Sequence, residues 1–239
     1  MIRVRDVAIG YDGKAIQEGL SFEVPRGDVF LILGGSGCGK STLLRHLIGL
    51  ARPMAGSIEI EGIGDPFTVE GSPRFGVLFQ SGALFGSMTL AENVGLSLQT
   101  WTKLDHQTID EIVRWKLRLV GLDGFENHLP AEISGGMKKR AGIARALAFE
   151  SDLLFLDEPS AGLDPVSAVE LDELILTLNE SLGVTVVIVT HELASIFTIG
   201  DSSVFLDAEQ RTQVALGPPK ELREHCEIPK VRTFLRRGE

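Results

Sequence analysis

Over the first sixty residues apolar side chains recur every second position, around one short solid run. Ile2-Arg-Val-Arg-Asp-Val-Ala-Ile9, Leu20-Ser-Phe-Glu-Val24 and Ser57-Ile-Glu-Ile-Glu61 alternate and predict half-buried strands. Gly10-Tyr11-Asp12-Gly13 between the first two is a turn signal. Val29-Phe-Leu-Ile-Leu33 is apolar throughout, which suits a parallel strand buried on both faces. Gly76-Val-Leu-Phe-Gln80, Leu153-Leu-Phe-Leu156 and Val184-Thr-Val-Val-Ile-Val189 read the same way, and Val204-Phe-Leu206 predicts an edge strand.

From about residue 85 the period lengthens. Thr89 to Leu98 and Ile109 to Val120 predict helices, the second with Ile109, Ile112, Val113, Leu117 and Val120 on one stripe and Thr108 with Glu111 as a capping box. Ser167 to Leu182 is a third helix, with Leu171, Leu174, Ile175, Leu178 and Leu182 along one face. Past the break at Gly217-Pro-Pro219, short helices are expected at Lys220–Arg223 and Val231–Arg237. The pattern predicts one α/β domain over 1–239. A core sheet would be built from about 1–84 and 150–225, with an antiparallel β layer, a helical subdomain over about 85–149 and a tail over about 226–239.

Composition narrows the class. With 239 residues and 44% hydrophobic side chains the chain can bury a sizeable core. A net charge of −10 argues against nucleic acid as a partner, because affinity there comes from basic patches. No apolar run approaches the roughly 18 residues that span a bilayer, and Met1-Ile-Arg-Val-Arg-Asp6 does not read as a signal peptide. Cys38 and Cys226 imply neither a disulfide framework nor a metal site. The expected location is cytoplasmic, with any membrane role supplied through a partner.

The candidate chemistry begins after the Val29–Leu33 run. Gly34-Gly35-Ser36-Gly37-Cys38-Gly39-Lys40-Ser41 has the spacing of a phosphate-binding loop, followed by a helix through Leu50. Glycines let successive N–H groups turn toward one anion, Lys40 would reach the β- and γ-phosphates, Ser41 would hold Mg²⁺, and the helix start would favour negative charge. Cys38 lies near that helix N-terminus, where a thiol pKa tends to fall, so alkylation of Cys38 is expected to block nucleotide binding and nucleotide to protect it; the alternative is an inert space-filler. Ser134-Gly135-Gly136 starts a second helix and is followed by Lys138, Lys139 and Arg140, either an anion-binding terminus or an ordinary capped helix with a solvated basic face. The Leu153 run delivers Asp157 and Glu158 at its C-terminal end, where open α/β sheets bind ligands. Asp157 suits a hold on Mg²⁺, and Glu158 suits a general base acting on water. Tyr11, Gln80 and His191 are ambiguous by spacing alone. The first could stack on a base or sit in a hairpin, the second could extend a metal shell or end a strand, and the third leaves the end of a strand.

In order, these motifs resemble those of the ATPase subunits of ABC transporters over nearly the whole chain. The resemblance implies a P-loop NTPase fold with a RecA-like core sheet, and ATP with Mg²⁺ as its ligands. It implies that Tyr11 stacks on adenine and that Gly34 to Thr42, with Gln80 and Asp157, bind ATP. Ser41, Gln80 and Asp157 would hold Mg²⁺, while Lys40, Glu158 and His191 would be catalytic. It also implies a homodimer in which Ser134, Gly135, Gly136 and Asp164 contact the partner's ATP in trans. Ile133 and Met137 depart from the Leu and Gln of many members. Phe79–Phe85, Ser134–Ala141 and Pro229–Leu235 resemble the Mla/Mce lipid-transport branch. That likeness implies a permease, an MCE-domain protein, in some systems a STAS-domain protein, and a place on the cytoplasmic face of the inner membrane. An ABC ATPase for another substrate, such as a metal or amino acid, remains the alternative. In the tail, Val231, Phe234 and Leu235 share a helix face beside Lys230, Arg232, Arg236 and Arg237. So short a helix needs a surface, either its own domain or a partner.

Overall fold

The computed structural model describes residues 1–72 and 74–237. In chain order the elements are β1 (Ile2–Tyr11), β2 (Lys14–Val24), β3 (Val29–Gly34), α1 (Lys40–Leu47), β4 (Ala55–Ile60) and β5 (Gly76–Leu78). Then come α2 (Leu90–Trp101), α3 (His106–Leu119), α4 (Gly135–Ala146), β6 (Leu153–Asp157), α5 (Pro165–Leu182) and β7 (Thr185–Val189). The chain closes with α6 (Leu193–Ile199), β8 (Ser202–Asp207), β9 (Thr212–Gly217), α7 (Pro219–His225) and α8 (Pro229–Arg236). These elements form two compact units, Met1–Glu70 with Thr185–Glu239, and Gly71–Val184.

In the first unit β1 lies between β2 and β4 in an antiparallel sheet. Asp12 and Gly13, both at positive φ, make the tight β1–β2 turn. A second layer places β3 between β7 and β8, all parallel, with β9 antiparallel on β8. Every residue of β3 and of β7 is buried, as solid apolar runs require. Val204–Leu206 is therefore not an edge strand, because β9 covers β8. The polar Thr212-Gln213 start of β9 hid it from the hydrophobic pattern.

The second unit pairs β5 with β6 in parallel and packs helices α2 to α5. Thr89 and Glu92 form a capping box on α2. For α3 the expected Thr108 cap gives way to Asp105, whose carboxylate accepts from the Thr108 N–H at 2.8 Å. An aspartate one turn earlier caps at least as well and lengthens the helix. The α5 helix likewise starts before Ser167, with Asp164 as its cap and Pro165 in the first turn. Among the described residues no helix is long and apolar enough to cross a membrane.

The tail seats at home. Val231 and Leu235 of α8 are essentially fully buried, and Phe234 meets Phe205 of β8 edge-on at 5.1 Å. Lys230 Nζ lies 2.7 Å from the buried Asp207 carboxylate at the end of β8. That hydrogen bond holds the Asp207 carboxyl below the usual carboxylate range. Positions 238 and 239 of the expected tail lie outside the described residues. Leu235→Ala is expected to destabilise the chain by about 2–4 kcal/mol, and a chain ending at Glu227 to melt lower than wild type. The Asp207 contribution is present above its ordinary pKa and is lost as pH falls through the lowered folded value. An unchanged melting temperature after truncation would show that α8 is not seated.

Candidate functional site

The first unit carries the phosphate-loop residues. Strand β3 ends at Gly34, whose φ is 144°. A Cβ there would lie 2.5 Å from the Leu206 carbonyl oxygen and 2.6 Å from Cys38 Sγ, so only glycine fits. Gly35, Ser36 and Gly37 are exposed, while Gly34, Cys38 and Lys40 are buried. Lys40 Nζ folds back over the loop and donates to the Gly34 and Gly35 carbonyls, each at 3.0 Å. An ammonium has three N–H donors, and two are thus matched to backbone. Gly39, at φ 100°, precedes α1 with no capping side chain, and no acidic residue lies in the first turn. The helix's positive end, with Ser41 and Thr42, therefore keeps its affinity for an anion.

Two further side chains brace this loop. Gln17 of β2, fully buried, donates from Nε2 to the Cys38 carbonyl at 2.7 Å and to the Asp207 carbonyl at 2.9 Å. It was not anticipated, because an isolated glutamine in an alternating strand carries no signal. Tyr11, 43% exposed at the end of β1, donates its hydroxyl to Thr42 Oγ1 at 3.2 Å, leaving ring surface open to solvent. His191 follows β7, half-buried, with Nε2 3.4 Å from Glu192 Oε1. Its carbonyl accepts from the Arg237 guanidinium at the end of α8.

The second unit carries the carboxylates. Asp157 closes β6, and Glu158 follows in the left-handed region at φ 48°. A glutamate there is uncommon and marks a constrained position. Gln80 lies two residues past β5, exposed in a turn rather than ending the strand. Ser134 caps α4, its Oγ accepting from the Met137 N–H at 3.2 Å, with Gly135 exposed and Gly136 buried. A Cβ on Gly136 would come within 3.3 Å of Ser167 Cβ. Asp164 caps α5, accepting from the Ser167 hydroxyl at 2.6 Å and from the Val166 and Ser167 N–H groups. Those bonds, the Ser167 hydroxyl foremost, lower its pKa.

Lys139 corrects the reading of a solvated basic face. It is buried, and its Nζ donates to the carbonyls of Gln80 at 2.5 Å and Glu158 at 3.4 Å. Arg145, one further turn and a half along α4, donates to the Ala83 carbonyl at 2.5 Å. Nearby, Phe75, Phe85, Leu96, Trp101, Arg145 and Phe149 line a groove of about 390 Å³.

The structure also corrects the expectation for Cys38. Its side chain is 1% exposed, and burial pushes the thiol pKa up, against the opposing pull of Lys40. Loss of water outweighs the helix N-terminus, so the thiolate is scarce. Native chain treated with iodoacetamide at neutral pH is expected to be labelled at Cys226 first and at Cys38 only after denaturation. Equal labelling rates in the native state would refute this.

Comparison with known proteins fits this geometry. Residues 17–161 match the family model described as ABC transporter. The chain is 41% identical over 242 residues to the probable ribonucleotide transport ATP-binding protein mkl of Mycobacterium leprae, covering 98% of this chain and 68% of that one. It is 39% identical to the intermembrane phospholipid transport system ATP-binding protein MlaF of Escherichia coli K12, covering 98% of this chain and 88% of that one. Among solved structures, the dimeric cassette MJ0796 in a post-hydrolysis state bound to ADP and Pi superposes with a TM-score of 0.80. It is 26% identical, over 91% of this chain and 98% of that one. The cbiO1 protein of Clostridium perfringens, part of an ABC transporter complex, gives a TM-score of 0.81 at 29% identity, over 98% and 94% of the two chains. A P-loop built around Gly34 and Lys40, a family match across the middle of the chain and relatives along its full length have one reading: the chain belongs to the ABC transporter family, as one of its ATP-hydrolysing subunits.

Proposed function

We propose that this chain powers an ABC transporter that moves phospholipid or a related lipid between bacterial membranes. The observation that carries the substrate class is the near full-length identity to two phospholipid-transport ATP-binding proteins, 39% in Escherichia coli and 35% in Haemophilus influenzae. The equally long match to a probable ribonucleotide transport protein is the specific ground for a second reading, transport of another solute.

Within this reading Tyr11 stacks on adenine. The N–H groups of Gly35 to Thr42 take the phosphates, and Lys40 neutralises the charge of the β- and γ-phosphates. Bound Mg²⁺ supplies charge neutralisation on the phosphate oxygens. Ser41, Gln80 and Asp157 offer the oxygen donors that a hard cation prefers. Glu158 accepts a proton from the attacking water, and His191 contacts the γ-phosphate.

A second copy of the chain is the first partner. Ser134, Gly135 and Gly136 present the start of α4 to the ATP held by that copy, with Asp164 beside it. The exposed Val166 and Val169 on α5, 69% and 55% exposed, suit burial in such a dimer. The second partner is a permease, whose cytoplasmic helix would fill the groove lined by Phe85 and Trp101. An MCE-domain protein completes the system, and a STAS-domain protein is a further candidate. The chain then sits on the cytoplasmic face of the inner membrane, held there by its permease.

Glu158→Gln is expected to reduce ATP turnover by on the order of 10²-fold or more while ATP still binds, whereas Lys40→Ala loses binding. Light scattering of the Glu158→Gln chain should show dimers with ATP and monomers without it. Wild-type turnover in Glu158→Gln would remove the base assignment. For the substrate, the native complex purified through this chain should contain a permease, an MCE-domain protein and bound phospholipid. A solute-type permease with a solute-binding protein would support the second reading instead.

A further inference from the structure

A buried ammonium ion is costly unless acceptors surround it. Lys139 is such a group, and what it binds is informative. It lies on α4 one turn past Gly136, with Gly136, Lys139 and Ile143 on the buried side of the helix. Its Nζ reaches the main chain of two separate segments, at the Gln80 carbonyl and at the Glu158 carbonyl. The carboxylates of Asp157 and Glu158 are close enough to favour its charged form against the effect of burial.

Neither segment belongs to a strand or a helix, although the Glu158 carbonyl also accepts from the Ala161 N–H at 3.2 Å. Gln80 lies in a turn beyond the end of β5, and Glu158 lies beyond the end of β6 in the left-handed region. A non-glycine residue stays in that region only where its surroundings hold it. Lys139 supplies one such hold, with a charge-assisted bond to a backbone oxygen. The helix that carries Lys139 begins at Ser134, so one side chain ties three segments of the unit together.

We propose that Lys139 is a positioning residue for ATP hydrolysis, fixing the main chain of Glu158 and Gln80 to the helix that Ser134 caps. This rests on the reading of Glu158 as the general base. Its consequence is directional. Movement of α4 when Ser134-Gly135-Gly136 engages a nucleotide on the second copy is passed to this chain's own base and its own Gln80. A purely structural lysine would satisfy the same carbonyls but would leave the rate per bound ATP unchanged when replaced by a side chain of similar size.

The test compares Lys139→Met, Lys139→Gln and Lys139→Arg in the intact transporter complex, with Glu158→Gln alongside. Methionine keeps the stem and loses the donors, and glutamine keeps a donor of shorter reach. Arginine keeps charge and donors, and restores part of the rate. The expected result for Met and Gln is a fall in kcat of about tenfold or more with KM for ATP within about twofold, because the loss is one of alignment. Nucleotide binding and the melting temperature of the chain are measured on the same samples. If Lys139→Met melts below the assay temperature, Lys139→Gln carries the same expectation. A wild-type kcat in the folded Met or Gln variant, while Glu158→Gln is inactive, overturns the inference. So does a loss that lies wholly in KM. Wild-type turnover in Glu158→Gln brings down the base reading itself and is seen independently of Lys139.

Discussion

The space under Gly34 is already filled, and the first unit is built around that fact. The Leu206 carbonyl and the Cys38 thiol occupy the volume where any Cβ would go. The phosphate loop can therefore turn tightly at the end of β3 only as bare backbone, which also aims its N–H groups at an anion. Close approach of this kind has to be held in place. Gln17 does so by bonding the carbonyls of Cys38 and Asp207 at once. Asp207 in turn closes the β8–β9 turn through the Glu209 and Gln210 N–H groups and pairs with Lys230 of the tail. Each buried bond contributes only about 1 kcal/mol net, but leaving any of these groups unpaired would cost more. The loop, the end of β8 and α8 are thus linked by required partners rather than by shape alone.

The same rule governs the second unit, with longer side chains. Residues 80–88 run between β5 and α2 without a strand partner, yet side chains bond the carbonyls of Gln80, Gly82, Ala83, Phe85 and Met88. Lys139 bonds Gln80, and Arg145 bonds Ala83 and Gly82. The fully buried Asn93 accepts from the Phe85 N–H and donates to the carbonyls of Phe85 and Met88. Burial lowers the pKa of both Lys139 and Arg145, which is the cost of using charges inside a helical layer. An irregular segment held so firmly at both ends can pass a displacement at Phe85 to Gln80, because packed protein deforms in discrete steps.

Much of this was legible in the sequence, and the limits have physical causes. The solid apolar runs at β3, β6 and β7 and the Lys40-Ser41 pair carry their meaning locally, since burial on both faces and phosphate chemistry each demand a residue type. Strand β9 was missed because its partner, not its composition, makes it a strand. The starts of α3 and α5 were placed too late, at the Thr108 cap and at Ser167, while Asp105 and Asp164, three residues earlier in each case, are the better caps. Gln17 and Lys139 were unreadable as bracing residues, because their acceptors are backbone carbonyls far along the chain. Cys38 shows the reverse error. A local rule about helix termini pointed one way, and burial, which a sequence does not display, outweighed it.

The groove beside Phe85 bears on what the chain can recognise. Its walls are mostly aromatic and aliphatic, and the Arg145 guanidinium within it is already engaged with two carbonyls. Such a surface selects an apolar helix face and offers little to a charged ligand. None of the side chains described in the phosphate loop is suited to a lipid or a sugar. The phosphate loop therefore offers nothing that would tell one cargo from another. On the proposed reading that a permease helix docks here, the groove's shape would discriminate among permeases by packing, where one methylene more or less is worth about 1 kcal/mol. The lining of this groove is then where ATPase subunits serving different cargoes should differ most, while the space beneath Gly34 should stay filled in the same way in all of them.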